Sequence, residues 1–323
     1  MYYTVLVTGG SGHVGSFCII ELLKNGHQVR TTVRAKSKGA ELNSVLLNLG
    51  VAEKSLERLS VYEVDLSSDI GWQEAINGCD YILHVASPYP LQQPDNEDEV
   101  IRPAVEGTLR ILKLANEHSV KRVVLTSSFG AVGYGHGNVS DRVFDESDWT
   151  NLTGPGVLPY VKSKVLAEKA AWEFVRSADN TRNLELTVII PTGIFGPVGN
   201  PQWVSTSMQL VKRVIDGKMI NGCPELYFAA VDVRDVAKIH VQAMVLNRAA
   251  GERFILCDNG GIHSWIEIAQ IAKEITGSKE IGTQQLPGDP TKRRPSNKFV
   301  KSVFNWEPIA FKASIEDAVN SLI

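Results

Sequence analysis

A glycine-rich loop stands between a predicted strand and a predicted helix near the start of the chain. The segment Thr8–Gly15 reads Thr-Gly-Gly-Ser-Gly-His-Val-Gly and follows a run of β-branched and aliphatic residues. Glycines in this position permit a tight turn and bring backbone N–H groups close to a pyrophosphate at the start of a helix. Phasings on Gly10, Gly12 and Gly15 or on Gly9, Gly12 and Gly15 fit the residues equally well. The strand–loop–helix context predicts a dinucleotide-binding α/β fold.

Short β-type runs alternate with helical segments over the first 190 residues. The strands are rich in Val, Ile, Leu and Tyr, as expected where helices cover both faces of a sheet. The predicted strands are Tyr3–Thr8, Gln28–Val33, Leu59–Glu63, Tyr81–Val85, Arg122–Thr126 and Glu185–Ile190. The predicted helices between them include Val14–Asn25, Glu97–His118 and Pro159–Ser177. This alternation predicts a doubly wound parallel sheet of the Rossmann type.

The pattern changes after Pro191, where Pro, Gly and Asn cluster. Helices are expected at Trp203–Asp216, Val233–Leu246, Ser264–Thr276 and Phe311–Leu322, with strands at Leu226–Val231 and Arg253–Cys257. A chain of 323 residues has room for about two domains. We therefore expect a nucleotide-binding domain over 1–190, with returning segments near 228–258, and a smaller substrate-binding lobe over 191–323.

Charge and cysteine usage restrict the class of partner. The net charge of −3 lacks the positive excess of a protein that grips nucleic acid. No apolar stretch reaches the roughly 18 residues that would span a bilayer. The four cysteines lie far apart without a CxxC pair, which favours buried free thiols, a reducing compartment and no metal site. We expect a cytoplasmic enzyme for small molecules, as a monomer or a homodimer.

The residue at the end of the second strand indicates which dinucleotide is bound. An NAD-preferring site usually carries Asp or Glu there for the ribose 2′-OH. This chain has Arg34, with Lys36 and Lys38 close behind. Because a guanidinium suits a 2′-phosphate through charge-assisted hydrogen bonds, the pattern predicts NADP(H).

Two further features fit a catalytic site beside this loop. Tyr160 and Lys164 are four residues apart and therefore share one face of a helix, where Lys164 can lower the pKa of the phenol. The fifth strand ends in Thr126-Ser127-Ser128, and the carboxyl ends of parallel strands face the ligand crevice in this fold class. Either feature alone is common, but their order along the chain indicates an active site.

These motifs, taken together over almost the whole length, resemble the extended short-chain dehydrogenases/reductases. The branch that contains plant dihydroflavonol and cinnamoyl-CoA reductases and microbial NADPH-dependent aldehyde and ketone reductases is the most similar. The resemblance places the loop on Thr8, Gly9, Gly12 and Gly15, which settles the phasing. Further matching segments are Val33-Arg34, Asp65-Leu66, His84-Val85-Ala86-Ser87-Pro88, Pro191-Thr192-Gly193-Ile194-Phe195-Gly196-Pro197 and Asp232-Val233-Arg234-Asp235-Val236-Ala237.

The resemblance implies a role for each matched residue. Tyr160 would protonate the carbonyl oxygen, Lys164 would hold the ribose hydroxyls and tune Tyr160, and Ser128 would orient the substrate oxygen. Asp65 and Leu66 would contact adenine. The implied NADP(H) site consists of Thr8, Gly9, Gly12, His13, Val14, Gly15, Arg34, Lys38, Asp65, Leu66, Val85, Ala86, Ser87, Thr126, Tyr160, Lys164, Pro191, Thr192, Gly193 and Ile194.

The candidate substrate wall is mostly apolar or aromatic, although some of its members could be lobe core instead. Its residues are Tyr89, Phe129, Val132, Phe195, Trp203, Met208 and Tyr227. Plant flavonoid reductases carry an Asn where this chain reads Gly130-Ala131-Val132-Gly133, which argues against a dihydroflavonol substrate. No Arg–Lys cluster is evident that would clamp a diphosphate. We expect NADPH-dependent reduction of hydrophobic aldehydes and ketones to alcohols.

Three other functions compete with this interpretation. Nucleotide-sugar epimerases and dehydratases share the loop and the Tyr–Lys pair, but they carry Asp in place of Arg34 and Asn in place of Glu106. A 3β-hydroxysteroid-dehydrogenase-like activity is a second alternative. A non-catalytic dinucleotide sensor is the third, although such proteins tend to lose the Tyr or the Lys that this chain retains.

Overall fold

A seven-stranded parallel sheet forms the centre of the protein in the computed structural model, which describes residues 1–87, 96–139 and 141–323. The strands are β1 (Thr4–Thr8), β2 (Gln28–Val33), β3 (Leu59–Glu63), β4 (Tyr81–His84), β5 (Arg122–Thr126), β6 (Val143–Phe144), β7 (Glu185–Pro191), β8 (Gly193–Phe195), β9 (Cys223–Phe228), β10 (Ala230–Asp232), β11 (Arg253–Leu256), β12 (His263–Ser264), β13 (Gln285–Asp289) and β14 (Arg294–Pro295). Within the first 190 residues, the predicted strands agree with these bounds to within one residue at each end.

Helices cover both faces of the sheet. The helices of the described chain, including those of the C-terminal part, are α1 (His13–Lys24), α2 (Lys36–Asn48), α3 (Trp72–Ile76), α4 (Asp98–Glu117), α5 (Pro159–Arg176), α6 (Thr206–Ile215), α7 (Val233–Val245), α8 (Trp265–Thr276), α9 (Lys298–Phe304) and α10 (Phe311–Asn320). Short 3-10 turns span Glu53–Arg58, Phe129–Ala131 and Asn247–Ala249. No helix in the described parts of the chain is long and apolar enough to cross a membrane.

The strand order fixes where a ligand can enter. The sheet runs β11-β7-β5-β4-β1-β2-β3, and all of its neighbouring strands pair in parallel. The order reverses between β1 and β4, and the crevice outside the carboxyl ends of the strands at such a point is the usual binding place. This arrangement confirms the predicted doubly wound α/β class.

Hydrophobic cores lie on either side of the sheet. One cluster packs α1 and α7 against β1 and β2, and a second packs α4 and α5 against β4, β5 and β7. Strands β4 and β5 are buried almost throughout, which explains their continuous apolar sequences. Cys18, Cys79, Cys223 and Cys257 are buried free thiols.

The C-terminal part has a third core, formed mainly by α6, α8 and α10. The strand predicted at Leu226–Val231 is divided in the structure, because β9 pairs with β12 and β13 whereas β10 pairs with β8. Helix α6 begins at Thr206 rather than Trp203, and the Ser205 hydroxyl caps it by accepting from the Met208 N–H. Strand β11 returns to the edge of the central sheet beside β7.

Gly15 should not tolerate a side chain. A Cβ there would lie 2.3 Å from the carbonyl oxygen of Gly9, and backbone cannot move away as a flexible side chain can. We expect Gly15→Ala to lower the free energy of unfolding by about 1–3 kcal/mol, measured by urea denaturation. The matched control is Gly107→Ala, also in a helix, whose Cβ would meet Leu66 at an ordinary 3.4 Å. That variant should be as stable as the wild type or slightly more so. Equal stability of the two variants would contradict the close approach.

Candidate active site

The glycine loop connects the end of β1 to the start of α1. Gly9 adopts a φ of +73°, a conformation that favours glycine, and its N–H donates to Thr32 Oγ1 at 3.0 Å. The Gly12 N–H donates to the carbonyl of Gly9, so the loop closes on itself. No side chain caps the N-terminus of α1. Because the first N–H groups of a helix lack intrahelical partners, this end of α1 is suited to an anion such as a phosphate.

His13, the first residue of α1, connects the loop to a distant segment. Its Nε2–H donates to the carbonyl of Pro197 at 3.0 Å, and the ring is buried. Burial lowers the pKa of His13 to about 4, so the ring is neutral at physiological pH. The adjacent Val14 packs partly buried against the core on that face of the sheet.

The ends of β1 and β4 are joined through Thr8. Its hydroxyl lies 2.9 Å from His84 Nδ1 and accepts from the Ala86 N–H at 3.0 Å. A Cβ on Gly9 would lie 3.1 Å from that of Ala86, so the loop and the residues after β4 are in close contact. Burial, and secondarily the charge of Lys164, lowers the pKa of His84 to about 3.

Three consecutive residues at the end of β5 have three different partners. The Thr126 hydroxyl donates to His240 Nε2 of α7 at 2.7 Å, because the His240 Nδ1–H already donates to Val236. The Ser127 hydroxyl donates to the Glu168 carboxylate of α5 at 2.5 Å. Ser128 is extended, and its oxygen accepts from the Gly130 N–H at 3.1 Å.

Helix α5 places Tyr160 and Lys164 beside the end of β5. Pro159 occupies the first helical position, where its fixed φ suits a helix start, so Tyr160 falls in the first turn. The Lys164 ammonium lies 5.9 Å from the centroid of the Tyr160 ring and donates to the Thr126 carbonyl at 3.4 Å. Burial lowers the pKa of Lys164 to about 8, against the charge of Glu168, which raises it.

The end of β2 carries the predicted cationic residues. Arg34 is exposed, and Lys38 forms an ion pair with Glu41 at 2.8 Å. Asp65 lies near Arg34, and hydrogen bonds from Ser67, aided by the charge of Arg34, lower the pKa of Asp65. Leu66 packs against Gly107 of α4 and directly follows Asp65.

The predicted segment after β7 also reaches this edge of the sheet. Thr192 donates to the carbonyl of Leu256 through both its N–H and its hydroxyl. The Gly193 N–H donates to Ala229, and the Ile194 N–H donates to the Ser207 hydroxyl. Pro191 is the last residue of β7.

Four of the predicted substrate residues are members of hydrophobic cores. Phe129 and Val132 belong to the core between α5 and the sheet, and Phe195 and Met208 belong to the core of the C-terminal part. Val132, Phe195 and Met208 have exposures of 0%, 1% and 0%. The first pair and the second pair pack in two separate cores, which accounts for their burial, and a contact with substrate stays a prediction.

The Trp203 side chain packs against α2, the helix that follows β2. Its indole N–H donates to Glu41 at 3.2 Å, and the Lys38 ammonium lies 5.1 Å from its ring centroid. Tyr227 is partly exposed, and Tyr89 falls outside the described residues. Trp203 reaches α2 because the segment after Gly196 crosses to that helix before α6 begins.

Two cations from the C-terminal part lie close to aromatic rings. The Lys292 ammonium is 4.3 Å from the ring centroid of Tyr227, and the Arg293 guanidinium is 4.5 Å from that of Tyr134. The dense basic cluster of the sequence is Lys292-Arg293-Arg294, which the sequence alone predicts to be a solvated loop. The two ring contacts join residues far apart in the chain, so no local pattern predicts them. Among the described residues, no group of acidic, His and Cys side chains is arranged to hold a metal ion.

Four residues form hydrogen bonds or ion pairs that position the site, and the motifs of the sequence do not assign them this role. His84 lies within a motif that was recognised for its neighbours, and Glu168 follows Lys164 by the helical spacing of four. That spacing could have identified Glu168. His240 and Arg253 contact the site across 114 and 85 residues of chain, and no local pattern marks such contacts.

Comparisons with known proteins find similar sequences and a similar structure. The model of the 3-beta hydroxysteroid dehydrogenase/isomerase family matches residues 6–259. Anthocyanidin reductase from Vitis vinifera is 32% identical over 97% of this chain and 92% of its own length. Cinnamoyl-CoA reductase from Medicago truncatula is 32% identical over 98% and 95%. The crystal structure of a yeast methylglyoxal/isovaleraldehyde reductase complexed with NADPH superposes with a TM-score of 0.83 at 27% identity, covering 99% and 98%.

The neutral state of His240 should make stability depend on pH. Burial lowers the pKa of His240 to about 4 from an ordinary value of 6.5, so below pH 6.5 the unfolded chain binds a proton that the folded chain does not. The contribution of His240 to stability is therefore present above pH 6.5 and falls as the pH decreases. We expect the stability advantage of the wild type over His240→Gln to shrink by about 2 kcal/mol between pH 7.5 and pH 5 in urea denaturation. A difference that does not change with pH would contradict a neutral His240.

Proposed function

Because the chain belongs to the 3-beta hydroxysteroid dehydrogenase/isomerase family, within the extended short-chain dehydrogenases/reductases, we propose that it is an NADPH-dependent reductase of aldehydes and ketones. The observation that carries this proposal is the buried Lys164 ammonium, 5.9 Å from the Tyr160 ring at the carboxyl end of β5. The same edge of the sheet carries the glycine loop. A lysine and a tyrosine so placed can serve proton transfer beside a bound dinucleotide.

The chain's own residues perform the proton chemistry. Tyr160 donates its hydroxyl proton to the carbonyl oxygen, and the positive charge of Lys164 stabilises the resulting phenolate. The Ser128 oxygen accepts from Gly130, so its hydrogen is left to donate to the substrate oxygen, where negative charge develops. NADPH, when bound, supplies the hydride from C4 of its nicotinamide.

The cleft fits a dinucleotide at two places. Glycines at 9, 12 and 15 let the loop pack closely on itself at the uncapped start of α1, where the pyrophosphate would bind. Arg34 and Lys38 lie at the end of β2, where the 2′-phosphate would bind, and Asp65 lies near Arg34 for the adenosine. The yeast reductase of the same fold is complexed with NADPH, which supports this choice of cofactor.

A substrate panel tests the class of reaction. We would measure kcat/KM with NADPH for aromatic ketones, aliphatic aldehydes, keto esters and UDP-sugars. Aldehydes and ketones should be reduced, and the relatives named anthocyanidin reductase and cinnamoyl-CoA reductase support the inclusion of aromatic compounds. The UDP-sugars are included because they are the substrates of the competing nucleotide-sugar epimerases and dehydratases. Activity confined to UDP-sugars would overturn the proposal, and NADPH binding without any turnover would indicate a sensor.

Arg34 should determine the preference for NADPH. Arg34→Ala removes the guanidinium from the 2′-phosphate, and a charged contact of this kind is worth about 1.5–3 kcal/mol. We expect a roughly 10- to 100-fold loss of NADPH affinity in a fluorescence titration, with little change for NADH. The control is Lys54→Ala, an exposed cation before the amino end of β3, away from the carboxyl end of β2 that Arg34 follows. A wild-type enzyme that uses NADH as well as NADPH would refute this role of Arg34.

Tyr160 should be needed for turnover but not for the fold. Tyr160→Phe keeps the ring and removes the proton donor, so the melting temperature and NADPH affinity should stay close to wild type. We expect kcat to fall by roughly 100-fold or more, the usual scale for a general acid. A Tyr160→Phe enzyme with near-normal kcat would place the proton donor elsewhere.

A further inference from the structure

Glu168 lies on the same face of α5 as the two residues assigned to proton transfer. It follows Lys164 by one helical turn and Tyr160 by two. Its side chain is buried, with an exposure of 1%, and both carboxylate oxygens are engaged. Oε2 accepts from the Ser127 hydroxyl at 2.5 Å, and Oε1 accepts from Arg253 Nε at 2.6 Å. The indole N–H of Trp172 donates to the same Oε1 at 3.3 Å.

Arg253 connects the Glu168 carboxylate to the segment 146–149. It extends from the edge strand β11, is itself about nine-tenths buried, and stacks 3.8 Å over the ring of Trp149. Its Nη1 donates to the carbonyls of Glu146 and Asp148. The ion pair therefore joins α5, the end of β5, β11 and the segment 146–149.

That segment leads back to Ser128. The next residue, Thr150, donates its hydroxyl to the carbonyl of Gly130 at 2.7 Å. The Gly130 N–H in turn donates to Ser128 Oγ. Glu168 thus reaches Ser128 by two routes, through its neighbour Ser127 and through Arg253 and Thr150. Either route alone would restrict the position of the Ser128 hydroxyl.

The charges around the Lys164 ammonium give Glu168 a second effect. The groups that face Lys164 are the Thr126 carbonyl on β5, the Tyr160 ring on α5 and the His84 ring on β4. His84 is neutral, because burial lowers its pKa to about 3. Glu168 is the charged group that raises the pKa of Lys164, while burial lowers it to about 8. A buried ammonium whose pKa is this close to neutral pH depends on a nearby carboxylate to remain charged.

We propose that Glu168, held in place by Arg253 one helical turn beyond Lys164, is a positioning residue that stabilises the Lys164 ammonium and fixes the Ser127–Ser128 backbone. The inference deepens the proposed reductase function and relies on it for the kinetic part of its test. A buried ion pair by itself is weak evidence for stabilisation, so a purely structural role has to be separated from this one by experiment.

The test is the pH profile of Glu168→Gln. Gln keeps the shape and can still hydrogen-bond to Ser127 and Arg253, but it lacks the charge. We would measure kcat/KM and NADPH affinity from pH 6 to pH 9.5. Both kcat/KM and NADPH affinity should decrease at alkaline pH, and in Glu168→Gln this decrease should occur about one pH unit lower than in the wild type. At pH 8.5 the variant should therefore be roughly tenfold below the wild type in both quantities. At pH 6.5, where Lys164 stays charged in both proteins, the two should differ by less than about threefold.

Three further variants separate electrostatics from packing. Glu173→Gln removes an exposed carboxylate from the same helix and should leave the profile unchanged. Glu168→Asp restores the charge and should return the alkaline limb toward that of the wild type. Arg253→Gln removes the opposing cation but leaves Glu168, so its alkaline limb should move to higher pH.

The inference fails if the alkaline limbs of Glu168→Gln and Arg253→Gln coincide with that of the wild type while both variants lose thermal stability. That result would leave the ion pair a structural feature. If Glu168→Gln does not fold, the pH profile of Arg253→Gln alone tests the inference. Its alkaline decrease must then lie at higher pH than that of the wild type. If the wild type binds NADPH but reduces no carbonyl compound, the proposed function fails, and the pH dependence of NADPH affinity still tests Glu168.

Discussion

The end of strand β5 is held from both faces of the central sheet, and the rest of the candidate site depends on this. Thr126 is bonded to His240 of α7 on one face, and Ser127 is bonded to Glu168 of α5 on the other. Ser128 then starts a short 3-10 turn and caps it with its own oxygen. With the strand end fixed on two sides, the Ser128 hydroxyl has a defined place relative to α5. The geometry of the proposed proton transfer is therefore built into the fold before any ligand binds.

Burial determines the charge of each group around that strand end. The three histidines at the site are kept neutral, since burial lowers the pKa of His13 and His240 to about 4 and that of His84 to about 3. Neutral imidazoles can accept or donate specific hydrogen bonds without adding repulsion near Lys164. The one cation assigned to the chemistry, Lys164, is buried beside them and depends on Glu168. Arrangements of this kind are typical of sites where ionisation is tuned for proton transfer.

The sequence could predict the frame of the fold, because the frame depends on local patterns. The roles of Tyr160, Lys164 and Ser128 are inferred from local patterns as well, and they stay predictions. Buried parallel strands are continuous apolar runs, and the glycine loop and the Tyr160–Lys164 pair are separated by fixed short spacings. The wall of the substrate site could not be predicted in the same way. Phe195 and Met208 have the apolar character of a cleft wall and of a core alike, and packing places them in the core. Contacts such as Thr126 with His240 join residues 114 positions apart, which no local pattern reveals.

In the proposed reaction, this chain directs a hydride and a proton to a carbonyl group at the end of β5. The most direct test is to incubate the wild-type protein with NADPH deuterated at C4 on each face in turn and an aldehyde or ketone that it accepts. The account predicts one alcohol formed per NADPH consumed, with deuterium on the carbinol carbon from one of the two labelled faces and none from the other. NADPH consumption without deuterium in the alcohol, or no alcohol from any carbonyl compound, would contradict it.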